Sequence, residues 1–540
     1  MTQLSEATQK LITEYNIWQQ SQKPKEGVST IHVDEVALKV AAFYEKIRTI
    51  VDWKEEHLIR RSAIIRKLKR RFLNLELNSS YEKEEIAEPL ILELIRGGHF
   101  QNDSIEELKI ANVKNVINKY IFILKNSIEN KSGKAGLQFY NWLLEIAACE
   151  IEETLVSYTK ETALINYMFD LMKEKIRVSE DIFQRKLLKE EEKDIQIYIA
   201  IQHALFKFDK PIISYNLIKY KYPEWNNADD DLILKISQNI YKIWKKIEKD
   251  LSHPLNRKFY TICEKYDTPY LLLGDILSQK SAIETSREIQ EPSSLEQLLK
   301  LAYSKRLSAV KSQLSRASIY FTALIFITKI ISLLVLEIIL SKIVTGHFSK
   351  MIMVADVLLP TFLMFILVFT IKPPSNKNLN LVIIEAMKIV YPNEKIDIYE
   401  IKMNKKRGVV TRLITTLIYL LGACTSFGFI FWVFYFFKFP ISSIILNFIF
   451  IALILFAGIA VKKRAQELTI ENDREGFLSF LSDILFLPFA WVGRWLSNKW
   501  QKYNAISAFF NALIDMPFSI FVEFLERWRY FIKERKEEIR

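Results

Sequence analysis

Apolar residues change their spacing once along this chain, near residue 318. From about 33 to 290 they recur every three or four positions, as in helices with one buried face. Beyond that come four nearly unbroken apolar stretches, 318–341, 351–371, 413–437 and 441–461. Each is close to the ~20 residues a helix needs to cross ~30 Å of hydrocarbon. The pattern predicts an all-α, polytopic α-helical membrane protein with a large N-terminal helical cytoplasmic domain and a C-terminal amphipathic helical tail. The expected divisions are a polar leader over 1–32, a soluble helical domain over 33–300, a four-span domain over 301–465 and an interfacial tail over 466–540.

Within the soluble domain, 137–176 is the most apolar segment and the expected core. It carries Leu137, Phe139, Trp142, Leu143, Ile146, Leu155, Ile165, Met168 and Phe169. Alternation is rare, and Asp397–Lys402 is the best strand candidate. Pro360 is expected to kink the second span. The turn Lys438-Phe-Pro440 makes spans three and four an antiparallel hairpin, and Gly422, Ala423, Cys424, Thr425, Ser426 and Gly428 offer a face for close helix approach.

Composition removes several classes of function. With 13 glycines and 14 prolines in 540 residues, both fall well below the usual ~7% and ~5%. Turns are therefore few and a phosphate-cradling loop is hard to build. There is no P-loop, GxSxG or GxGxxG pattern, and none of the 6 histidines pairs at metal-ligand spacing. The 3 cysteines are too scattered for a disulfide framework or a zinc site. No catalytic residue, cofactor or metal is expected.

Charge sets an orientation. The net +12 could suggest nucleic acid, but much of the excess flanks the apolar stretches. The basic segments before 318, between 372 and 412, and at Lys462–Arg464 alternate with lightly charged turns. The bias toward cytoplasmic Lys and Arg then puts the N-terminus, the 372–412 loop and the C-terminus in the cytoplasm of a multi-pass protein. Met1–Gln20 lacks an apolar core, so a cleaved signal is not expected. A bacterial inner membrane fits the Lys/Ile/Asn-rich, disulfide-poor style.

Two groups of residues are candidates for function. Lys329, Glu337 and Asp356 are ionisable groups inside apolar spans, where charge is costly. Counting rise per residue from a common outer plane sets Glu337 and Asp356 at similar depth, where they could share a proton or hold a cation. Lys329 lies deeper and would snorkel or meet another subunit. The second group is a possible lipid or partner surface. It comprises the basic stretch Arg60, Arg61, Arg66, Lys67, Lys69, Arg70 and Arg71, and the tail aromatics Trp491, Trp495, Trp500, Phe521, Phe524 and Trp528. The tail repeat through Phe521, Phe524 and Trp528 has coiled-coil spacing. Segment 477–493, interrupted by Asp483 and Pro488, reads as an in-plane or re-entrant helix.

The expected function is a membrane-anchored interaction or assembly scaffold. The alternatives are an oligomeric ion or proton channel or transporter using the intramembrane charges, and a membrane enzyme with an unrecognised site. Membrane lipid is the expected surroundings, protein partners or further copies of the chain the expected associates, and nucleic acid is not expected.

Overall fold

The computed structural model describes residues 2–22, 27–33, 60–69, 86–96, 99–127, 133–337, 350–371, 374, 376–392, 397–403, 408–470 and 477–502, with 524, 528, 531, 532 and 535. The chain is almost wholly helical there and forms two compact units. Described residues within 1–8, 265–396 and 402–506 make a bundle unit; those within 9–264, 397–401 and 507–540 make an N-terminal unit.

The N-terminal unit holds α1 (Glu6–Ser21, its first residues counted with the bundle), α2 (60–69), α3 (Ala87–Arg96), α4 (Leu108–Asn126), α5 (Lys134–Leu155) and α6 (Thr159–Lys175). A strand β1 (Ile176–Val178) follows, then α7 (Glu180–Gln184), α8 (Glu190–Phe206), α9 (Lys210–Lys221), α10 (Asp230–Leu251) and α11 (Asn256–Lys265). The expected core segment is largely buried: Phe139, Trp142, Leu143, Ile146, Leu155, Ile165 and Met168 all lie inside. Two residues depart: Leu137 is exposed on the first turn of α5, and Phe169 is half-buried. Helix α10 starts where the acidic run 229–231 suggests. The Asp229 carboxylate accepts the Leu232 amide at 2.9 Å, which supplies an N-cap.

One polar knot sits inside this unit. Buried Glu150 accepts hydrogen bonds from Tyr120 Oη at 2.8 Å and Trp225 Nε1 at 2.9 Å, and pairs with Lys119. Burial holds the Lys119 ammonium below its ordinary range, and Glu150 pulls it partly back.

The strand candidate in the 372–412 segment forms, and its partner comes from far away. Strand β2 (Tyr399–Ile401) runs parallel to β1, pairing Ile176 with Tyr399, Arg177 with Glu400 and Val178 with Ile401. The Ser179 amide extends the ladder to the Ile401 carbonyl at 3.1 Å. Chain that connects two apolar helices of the bundle unit thus completes the N-terminal unit. β1 escapes sequence reading because three residues, Ile-Arg-Val, carry too little alternation to register.

The bundle unit holds α12 (Asp267–Gln279), α13 (Ala282–Glu288), α14 (Pro292–Ser332), α15 (Lys350–Phe369), α16 (Asn376–Val390), α17 (Val409–Phe436), α18 (Ile441–Ala465) and α19 (Phe477–Lys502). Four helices are long and apolar enough to cross a membrane: Pro292–Val335, Met351–Phe369, Val409–Phe436 and Ile441–Ala465. The first begins far ahead of its apolar stretch. Pro292 occupies the first turn, where its missing amide hydrogen costs nothing. The helix then runs for 41 residues before a π-turn at Leu333–Glu337. Helix α15 continues through Pro360.

Asn378, buried at the start of α16, gathers the polar side of this unit. Its Nδ2 donates to the Leu468 carbonyl at 2.6 Å and Tyr303 Oη at 3.1 Å, and its Oδ1 accepts the Ile470 amide at 2.8 Å. Segment 468–470, just past α18, is thereby held to α14 and α16.

Helix α19 is one 26-residue element that carries Pro488 in its interior, where an in-plane or re-entrant segment ending at 493 is expected. Phe489 joins Phe434, Ile444, Ile451 and Leu455 in an apolar cluster shared with α17 and α18. Close approaches come at Gly493 and Gly458. A Cβ at Gly493 would overlap the Ala452 carbonyl, and one at Gly458 would overlap the Leu367 side chain. In the expected face, Gly422 and Ser426 are buried, whereas Gly428 meets open space.

Candidate functional site

A lysine, an aspartate and an asparagine from three span-length helices meet at one place. Lys329 on α14 and Asp356 on α15 are both 0% exposed, with Nζ 2.8 Å from Oδ2. Asn447, from α18 and also 0% exposed, donates its Nδ2 to Asp356 Oδ1. The Lys329 ammonium also lies 5.1 Å from the centre of the Phe450 ring, also on α18, within range of a cation–π contact. Three of the four span-length helices are joined by this cluster. Its charges sum to zero, which is what a low-dielectric interior demands of buried ions.

This arrangement gives Lys329 and Asp356 partners that the sequence reading does not name for them. Asp356 pairs with Lys329, where depth counting pairs it with Glu337. Lys329 finds its partner within its own chain, where the sequence reading has it snorkelling or meeting another subunit. The reason is geometrical. Lys329 lies 12 residues before 341 and Asp356 only five after 351, so a common outer plane leaves them about 10 Å apart in depth. An offset between the helices and the long lysine stem close that gap. Glu337 ends the π-turn, and its side chain lies outside the described residues. Asn447, a neutral residue in an apolar helix, is absent from any list built on charge. Its signal is position: it is the one asparagine in the Ile441–Ala465 stretch.

Asn447 Oδ1 is buried with no hydrogen-bond partner. In a bundle this apolar, an unmet carbonyl oxygen costs about 1–3 kcal/mol.

The basic stretch is used differently from the expected lipid or partner surface. Arg60 Nε donates to Glu152 Oε1 at 3.0 Å, and Arg61, 3% exposed, pairs with Asp209. Lys67 donates to Glu93 Oε2 at 2.9 Å, and Lys69 reaches Asn141 Oδ1 at 3.4 Å. Arg66 is half-buried. Ala63, Ile64 and Leu68 are fully buried on the same helix, so α2 is an inner helix whose cations meet acidic residues of its own unit. Arg70 and Arg71 lie outside the described residues.

Trp491 and Trp495 stand exposed on α19. Phe524 and Trp528 are also exposed, their rings stacked 6.2 Å apart. Phe521 and the side chain of Trp500 lie outside the described residues. Among the described residues no group of His, Cys, Asp or Glu could hold a metal ion.

Comparison with protein-family models, with curated proteins and with solved structures finds no match for this chain.

Proposed function

We propose that this protein is a membrane-embedded assembly scaffold. A four-span bundle holds the N-terminal helical unit at the cytoplasmic face, where that unit and the tail aromatics engage protein partners. The observation that carries this reading is the β1–β2 pairing. The N-terminal unit takes one of its strands from chain lying between the second and third apolar helices. A passive tether needs one connection. Here the chain leaves the bundle unit, completes the N-terminal unit and returns, which supports a display platform. The pairing also supports placing the N-terminal unit and the 372–412 segment on one side, in line with the alternation of basic segments.

The closed charge cluster supports the same reading. Lys329 and Asp356 satisfy each other across α14 and α15 with Asn447 in attendance. Buried pairs of this kind are best attested as fixing how elements register against each other.

A second reading, an oligomeric ion or proton pathway, draws on the unpartnered Asn447 Oδ1 beside an ionisable pair. A membrane enzyme draws support from nothing in the described residues.

Extraction in mild detergent, followed by mass and composition of the intact complex, tests the scaffold. The expected result is a stoichiometric protein partner retained with the chain and lost when the N-terminal unit is deleted. A closed homo-oligomer with nothing else bound overturns it.

A further inference from the structure

The N-terminal unit contains an under-satisfied acidic pocket that the scaffold reading does not use. Helices α5, α6 and α9 enclose a cavity of about 20 Å³ whose lining includes Glu152, Glu153, Tyr158, Glu161 and Tyr215. That is room for one water molecule, which needs roughly 10–15 Å³ and two to four polar partners. Glu152 is 1% exposed and Glu161 is largely buried; Oε2 of each lacks a well-formed hydrogen bond, as does the buried Tyr158 hydroxyl beside Glu152, the nearest donor to it. An ionised carboxylate oxygen left this way is expensive, and the ordinary remedy is a proton.

The groups facing the pair from each packed element do not remove the need. On α2, Arg60 holds Oε1 of Glu152, and Arg61 is committed to Asp209 at the start of α9. On α5, the Cys149 thiol is pushed up by burial, and Glu153 is already taken by Lys219 and Tyr215 of α9. Also on α5, Glu145 is raised by burial, with Glu248 of α10 adding to the rise. At α6, Lys160 lies 3.7 Å from the other oxygen of Glu161. Burial raises both Glu152 and Glu161 above the usual carboxylate range, with Tyr158 and Arg60 pulling Glu152 back and Lys160 doing so for Glu161.

We propose that the N-terminal unit carries a proton-binding site: Glu152 and Glu161, bridged by one water in this cavity, take up a proton and thereby loosen the Arg60 clamp on α2. Protonation converts Glu152 from a charged to a neutral partner of Arg60. A charge-assisted hydrogen bond becomes a neutral acceptor contact of roughly half the strength. Arg60 and Arg61 tie this part of α2 to α5 and to the start of α9, so residues 60–64 are where the change is felt. The proposal concerns this site alone and stands whether or not the scaffold reading does.

Hydrogen exchange of residues 60–69 in the full chain in detergent, corrected for the intrinsic pH dependence of exchange, tests it. Protection of residues 60–64 in the wild type should fall about tenfold between about pH 8 and about pH 5. Glu152→Gln should show the low protection at every pH. Glu161→Gln removes a like charge and offers an amide donor to Glu152, so the fall should move to lower pH. If Glu152→Gln does not fold, Glu161→Gln alone decides. Wild-type protection that is constant over this range, or a Glu161→Gln profile that falls with the wild type's, overturns the proposal.

Discussion

The two units bury charge in opposite ways. Between its span-length helices the bundle buries the pair Lys329 with Asp356, attended by an amide and an aromatic ring. The N-terminal unit buries a population: Lys119 with Glu150, Arg60 with Glu152, Arg61 with Asp209, and Lys221 with Asp250. Their surroundings explain the contrast. Hydrocarbon gives a buried ion no water to fall back on, so only a self-neutral cluster persists among span-length helices. A unit built without span-length apolar helices can leave a carboxylate oxygen unmet where a proton or a water can reach it. The bundle's pair is therefore suited to fixing register, and the N-terminal pocket to responding to its medium.

The sharpest way to break this contrast is to remove half of the bundle's pair. Lys329→Met leaves Asp356 buried without its counter-ion and should destabilise the bundle by about 3–5 kcal/mol. Lys329→Met combined with Asp356→Leu should recover most of that, since a well-packed apolar replacement is often neutral. Thermal unfolding of the two purified variants checks this, and a double variant as damaged as the single one removes the register argument.

The next largest effect concerns the strand that joins the units along the chain. Ile401 is buried on β2, so Ile401→Ala should cost the N-terminal unit about 2–4 kcal/mol. Limited proteolysis should then cut within 397–401 faster than in the wild type, with the bundle helices intact. Equal cleavage rates count against the strand.

Asn447→Leu separates the cluster's amide from its ion pair. It deletes one hydrogen bond to Asp356 and also the unmet Oδ1, so the net cost should stay near about 1 kcal/mol. A loss as large as that from Lys329→Met makes Asn447 an equal partner in the pair.

The smallest effect belongs to the N-terminal pocket and is one of sign. Burial raises the folded-state pKa of Glu161. The stability this group contributes is fully present below its unfolded pKa, about 4.3, and is lost as pH rises through the higher folded value. Glu161→Gln removes that loss. Its melting temperature relative to the wild type should therefore climb from about pH 4 to about pH 7. A constant difference over this range means that Glu161 titrates alike in both states.

What was legible in the sequence follows from how local each signal is. Spans two to four emerge within a few residues of the helices Lys350–Phe369, Val409–Phe436 and Ile441–Ala465, because apolar runs of span length have few other solutions. The first begins at Pro292, well ahead of 318, because hydropathy marks the apolar stretch and not the amphipathic helix leading into it. The acidic run at 229–231 and the strand at 399–401 are also local and were readable. The Lys329–Asp356–Asn447 cluster was half legible. Charge in an apolar stretch flags two members, but partner choice depends on helix offset, which one sequence does not encode locally. The basic stretch at 60–71 misleads for a related reason: Glu152, Asp209 and Glu93, which neutralise its cations, come from α5, the start of α9 and α3. The acidic pocket is the extreme case, since its walls converge from segments as far apart as 149 and 216.

On the proposed reading the bundle's charges hold helices together and do not carry ions. Proton and monovalent-cation flux through the purified chain in sealed liposomes tests it most directly. Flux should be indistinguishable from that of protein-free liposomes, for the wild type and for Asp356→Asn alike. Wild-type flux that Asp356→Asn abolishes, with the variant still folded, would contradict it.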